Sequence, residues 1–192
     1  MVVAVVDVVA IGSDIAEYRL LGTDYTVDEA NANDNRQAVI GAVQLLLLVA
    51  TAVLFIRWFK LAYEHLDEVG GERRYGPRWA IWGWFVPILG LWRPKQIAND
   101  ISHAGGEPES GLSTLLNGWW AAFLLSTWAS QVTLRLVLRA ETTEELRRAA
   151  VGYVVADTLD LVAAVLALLV VRALTGRLLG VAARVPEPEP AG

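Results

Sequence analysis

Apolar positions fall into four long stretches separated by short polar ones, and that pattern predicts a helical membrane protein. A straight helix needs ~20 predominantly apolar residues to cross a hydrocarbon core. Residues 38–56 meet this requirement with only Gln44 and Thr51 interrupting, so a span is expected over residues 37–58. Trp58, Ala62, His65, Leu66 and Val69 then recur at helical spacing. The helix should therefore continue past the membrane until Gly70-Gly71 stops it. Residues 115–138 and 149–172 are two more apolar stretches, and Thr142 with Glu145 forms a capping box ahead of the last. Residues 1–21 predict the remaining span, ~31 Å long as a helix, with Asp7 interrupting its apolar half. This opening lacks the basic n-region and small-residue cleavage site of a secretory signal. The expected fold class is thus all-α: four transmembrane helices in one helical membrane domain over residues 1–185. Residues 186–192 alternate proline and glutamate and read as a disordered tail.

The polar connections carry their own signals. Residues 22–35 read as a loop, with Asn33 or Asn35 as N-cap of the following helix. Residues 78–96, RWAIWGWFVPILGLWRPKQ, are different in kind. They contain Trp79, Trp82, Trp84 and Trp92, half of the eight tryptophans, broken by Gly83, Pro87, Gly90 and Pro94. The apolar part, residues 79–92, is too short to cross a bilayer, and tryptophan is enriched at headgroup level. A re-entrant or interfacial segment is the reading that fits. Residues 95–103 follow with Ile97 and Ile101 four apart, and Gln96, Asn99 and Asp100 are assigned to the other side, which predicts a short amphipathic helix lying in the interface.

Composition changes this picture little but excludes much. Hydrophobic residues make up 55% of the 192 positions, charged residues only 19%, and mean hydropathy is +0.41. A formal charge of −5 argues against nucleic acid as a partner, and the lack of cysteine removes disulfides, thiolate metal sites and Cys nucleophiles together. The distribution of positive charge predicts orientation. Arg57, Lys60, Arg73, Arg74, Arg78, Arg93 and Lys95 lie between the second and third spans, the first loop has none, and Arg172, Arg177 and Arg184 follow the fourth. Arg139, Arg147 and Arg148 dissent. The bias favours both termini on the cytoplasmic side.

Three elements along the chain carry a resemblance. Phe55, Trp58 and Phe59 make an F-x-x-W-F element at the end of an early helix. Trp79, Trp84, Phe85, Pro87, Leu91 and Pro94 match a W-x-x-x-x-W-F-x-P-x-x-N-L-x-x-P element, with Gly90 where the pattern has asparagine. Trp119 and Trp120 match paired tryptophans opening the next span. In these features the chain resembles the bacterial membrane family called domain of unknown function 4328. The resemblance implies a multi-pass protein of the bacterial cytoplasmic membrane and brings no established activity with it.

Polar residues at membrane depth are candidates for function by default. Asp157 and Asp160 lie three apart, on one helix face. They are expected to form a polar cluster with Arg135 or Arg139 of the antiparallel third helix, Gln131 lying level with Asp157, and Asp7 is a conceivable member. The sharper reading makes the two acids a proton or cation site. His65 and His103 lack metal-ligand spacing, and no phosphate loop, H-E-x-x-H or Gly-x-Ser-x-Gly elbow occurs, so neither metal, cofactor nor enzymatic activity is expected. Gly176 and Gly180 form a weak small-xxx-small pair. Two function classes follow. The first is a scaffold or accessory subunit binding anionic lipid or a partner membrane protein through Arg78, Trp79, Trp84, Phe85, Pro87, Trp92, Arg93, Lys95 and Gln96. The second is a small transporter or ion-conducting homo-oligomer using Asp157 and Asp160.

Overall fold

The computed structural model describes residues 9, 11–16, 18, 19 and 26–184, and regular structure among them is helical throughout. In order come α1 (Val27–Glu68), α2 (Trp79–Trp82), a 3-10 turn (Leu89–Leu91), α3 (Arg93–Ser102), α4 (Ser110–Val137) and α5 (Thr143–Ala182). Of the expected span 1–21, residues 9, 11–16, 18 and 19 are helical, and the rest, Asp7 included, lies outside the described residues.

Among the described residues two helices are long and apolar enough to cross a membrane, Asn31–Glu68 and Thr143–Ala182. The apolar window of the first has none of its residues buried. Leu45, Leu46, Leu48 and Leu54 are all 60% exposed or more. A helix that is apolar on every side and uncovered by protein needs another apolar surround. The expected third span is a helix, α4, but Ser113, Asn117, Ser126, Thr127, Ser130 and Gln131 dilute its apolar run, and it does not pass the same test.

Two expectations about connections are corrected. Residues 27–35 continue α1 instead of forming a loop, so neither Asn33 nor Asn35 caps it. No Gly or Pro interrupts residues 27–40, and Asp28 in the first turn complements the helix dipole. At the other end, Gly70-Gly71 does stop the helix. Gly71 N–H donates to Leu66 O (2.9 Å) and Gly70 N–H to Asp67 O (3.2 Å), with Gly70 at φ 70°. That is the paired hydrogen bonding of a Schellman motif. Gly70→Ala forces a Cβ into the left-handed region and is expected to cost about 1–2 kcal/mol, measurable as a lowered midpoint of chemical unfolding. The capping box also forms: Glu145 N–H donates to Thr142 Oγ1 (3.3 Å), and Thr142 N–H to Glu145 Oε2 (3.1 Å).

The chain divides into two compact units, one of Met1–Thr51 and Trp120–Leu166, the other of Ala52–Trp119 and Ala167–Gly192. In the first unit α4 and α5 run antiparallel in the register expected from equal distance to Thr143. Thr133 lies against Gly152, where a Cβ would come within 2.7 Å of Thr133 Oγ1. Ala149, Ala150, Ala156 and Ala163 are buried, small residues that let helices approach closely. The second unit has the larger side chains inside: Phe59, Tyr63, Leu66, Ile97, Ile101, Leu116, Val170 and Leu174 are at most 1% exposed.

Candidate functional site

Phe55 and Phe59 sit one turn apart on α1, and their rings stack 5.7 Å apart. Trp84 meets both edge-on, at 5.6 Å from Phe55 and 5.8 Å from Phe59. Trp119 of α4 closes on Phe55 at 6.0 Å. Residues from all three sequence elements thus enter a single aromatic cluster, inside the 4.5–7 Å range over which ring pairs attract. Trp58 joins it as well, 5.5 Å from Phe55 and 6.1 Å from Phe59, and donates its Nε1–H to Thr175 Oγ1 of α5 (3.1 Å).

Trp84 pins the middle of the 78–96 segment, and the backbone folds tightly around it. Gly83 allows this, because a Cβ there would fall 2.6 Å from Trp79 O and 3.1 Å from Arg93 Cγ. At Gly90 a Cβ would rest 3.4 Å from Gly83 O, an ordinary contact, so the backbone there does not require glycine. With Trp84 turned inward, Trp82, Phe85, Pro87, Ile88, Leu91 and Trp92 are left exposed. Phe85 is 62% exposed and Ile88 68%.

The basic and polar members of the segment are occupied internally. Arg93 lies over Tyr75 (3.9 Å to the ring centroid) and over Trp79 (4.6 Å), an arrangement in which a planar guanidinium is held by aromatic faces. Gln96 Oε1 accepts from Tyr75 Oη at 2.8 Å. Lys95 Nζ donates to Asn99 Oδ1 at 2.6 Å, and burial draws its ammonium below its ordinary pKa. Arg78 alone among these points of charge is exposed.

α3 is amphipathic, but its apolar face does not lie along a membrane surface. Ile97 and Ile101 are packed inside the second unit, and Asp100, expected on the opposite side, is buried with them. Positions 97, 100 and 101 stand at i, i+3 and i+4 and share one face, a spacing that marks Asp100 as an inward residue. Tyr63 Oη donates to Asp100 Oδ2 (3.1 Å) and accepts from Tyr75 N–H (2.9 Å), while Arg74 N–H donates to the same carboxylate (3.2 Å). This Asp100–Tyr63–Tyr75 hub ties α1, the 70–78 turn and α3 together.

In the first unit Asp157 and Asp160 meet other partners than those expected. Gln44 Nε2 donates to Asp157 Oδ2 at 3.4 Å; Asp14 lies near enough to interact with Asp157, and Ser126 with Asp160. Gln37 Nε2 reaches Asp14 Oδ1 (3.3 Å), and Arg36 Nε and Gln37 Oε1 both contact Ser13 Oγ (3.0 and 3.1 Å). Gln131, Arg135 and Arg139 are exposed, and no ion pair among the described residues involves either arginine. The reason is angular. Ser126 meets Asp160 and Thr133 meets Gly152, so the face of α4 toward α5 carries residues 126 and 133, and Arg135 and Arg139 project elsewhere. Gln44 was a readable signal, as the one amide in the most apolar stretch of the chain.

A family model described as Domain of unknown function (DUF4328) matches residues 22–176, which takes in all three aromatic elements and both polar networks except Ser13 and Asp14. No curated protein and no solved structure matches the chain. With most of its length covered by that model, the chain belongs to the DUF4328 family.

Proposed function

We propose that this is a non-enzymatic multi-pass scaffold or accessory subunit of the bacterial cytoplasmic membrane. Four spans with both termini cytoplasmic would place residues 78–96 at the inner surface, against anionic lipid or a partner membrane protein. The observation that carries the reading is the exposed apolar row Trp82, Phe85, Ile88, Leu91 and Trp92, held on a backbone pinned by Trp84. Rigid aromatic side chains at headgroup level anchor a segment in depth. Gathering of residues 52–119 and 167–184 in one unit supports a common side for the middle segment and the C-terminal flank. Charge plays a smaller part than its abundance suggests, because Arg93 and Gln96 serve the fold. Neutralising Arg93 is therefore expected to loosen the segment itself.

The native chain has no cysteine, so single labels are read without background. Fluorophores at positions 85 and 88 are expected to be quenched by lipid-borne nitroxides and shielded from iodide, with the reverse at position 74. Iodide quenching at 85 and 88 equal to that at 74 would remove the membrane-surface reading.

A second reading, an oligomeric proton or cation conductor, is favoured by one contact, Gln44 Nε2 to Asp157 Oδ2 (3.4 Å), which joins an amide and a carboxylate on two helices apolar enough to cross a membrane. Asp157→Asn is expected to abolish proton flux into vesicles if this reading holds, and to leave vesicle permeability unaltered if the scaffold reading does.

A further inference from the structure

A groove of about 480 Å³ opens in the second unit between the start of α4 and the end of α5. Its volume lies in the roughly 300–1,000 Å³ range of small-molecule sites. Glycines make its floor: a Cβ at Gly111, Gly176 or Gly180 would meet nothing within 4 Å. The lining changes character along α5. Leu115 and Ala173 line the end nearer the apolar stretch of the helix, and Arg177 and Arg184, with Val181 between them, line the end beyond it, against one carboxylate, Glu109. Arg177 stands four residues beyond Ala173 on α5, ~6 Å along the axis, and Arg184 lies just past the end of the helix at Ala182. Arg177 is held in place, since its Nη2 donates to Gly106 O (2.6 Å) and Glu107 O (3.1 Å).

We propose that this groove seats one anionic phospholipid, with the phosphate against Arg177 and Arg184 and the first part of an acyl chain over Leu115 and Ala173. An apolar end facing the span and a cationic end facing away match the order of groups in a lipid that enters from the membrane. Arginine suits the phosphate because its planar fork donates two parallel hydrogen bonds. The site is separate from residues 78–96 and stands or falls without them.

The test uses the full chain reconstituted in phosphatidylcholine–phosphatidylglycerol nanodiscs, with retained lipid counted by native mass spectrometry. Wild type is expected to retain phosphatidylglycerol in preference to phosphatidylcholine. Arg184→Gln should lower that retention about fivefold, the equivalent of ~1 kcal/mol for one basic residue at an anionic surface. Gly176→Leu should lower it at least as far, by filling the groove with a residue that helices favour over glycine. Unchanged retention in both variants overturns the proposal. So does a loss confined to Arg184→Gln, which would mean diffuse surface attraction, or displacement of phosphatidylglycerol by millimolar inorganic phosphate, which would mean a free-anion site. Nitroxide quenching at positions 85 and 88 is expected to stay the same in Gly176→Leu, so this proposal and the scaffold reading fail separately.

Discussion

Phe59→Ala is expected to cost about 3–5 kcal/mol of stability, the range for removing a buried aromatic side chain without collapse of the space it leaves. Phe59 is 1% exposed, stacks on Phe55 and receives the edge of Trp84. The space should not close easily, because its walls belong to separate parts of the chain, α1 and the tight turn held by Gly83. The loss should also spread to the 78–96 segment, whose main anchor is Trp84. Phe85→Ala is the contrasting change: Phe85 is exposed and its removal opens no cavity, so stability should alter by less than about 0.5 kcal/mol. Unfolding followed by tryptophan fluorescence in mixed micelles, with limited proteolysis around residue 87, reads both effects. Equal losses for the two substitutions would show that the aromatic cluster does not hold the segment.

How much of this was legible depends on what each residue had to reveal. Helices were readable because their apolar runs are long and their ends carry local signals, Gly70-Gly71 at one end and Thr142 with Glu145 at another. Their starts were less so. Residues 27–35 read as loop because polar side chains were counted, while nothing in them breaks a helix. The three aromatic elements were recognisable one by one as sequence. That Phe55, Trp84 and Trp119 converge was not, since contact across 29 or more residues depends on how the turns between them fold.

Side-chain direction was the commonest source of error. Asp100 was assigned to the polar face of α3 on polarity alone, although its spacing from Ile97 places it inward. Arg135 and Arg139 were paired with Asp157 and Asp160 by charge, but they stand about two turns or more beyond the level of the acids, and the facing side of α4 presents Ser126 and Thr133. Arg93 and Gln96 were read as outward-facing on account of their charge and polarity. Each found an aromatic partner nearby, Tyr75 in both cases, and a planar guanidinium over a ring stays charged without needing bulk water.

Asp100→Ala is expected to cost about 3 kcal/mol, a large loss for one polar side chain. The carboxylate accepts from Tyr63 Oη and from Arg74 N–H, and a hydrogen bond to a charged group contributes about 1.5–3 kcal/mol. Alanine removes the acceptor and leaves the Tyr63 hydroxyl, on a side chain with 0% exposure, without that acceptor. Asp100→Asn keeps one acceptor oxygen and should cost about half as much. Tyr63→Phe separates the effects further, because it also strips Tyr75 N–H of its acceptor (2.9 Å) and frees the 70–78 turn. If Asp100 and Tyr63 act as one hub, the double variant Tyr63→Phe/Asp100→Ala should lose at least ~0.5 kcal/mol less than the sum of the singles. Strict additivity would reduce the hub to two unrelated contacts. Cleavage at Arg73 or Arg74 by trypsin should rise with each single change, since the hydrogen bonds that fix that turn run through these two side chains.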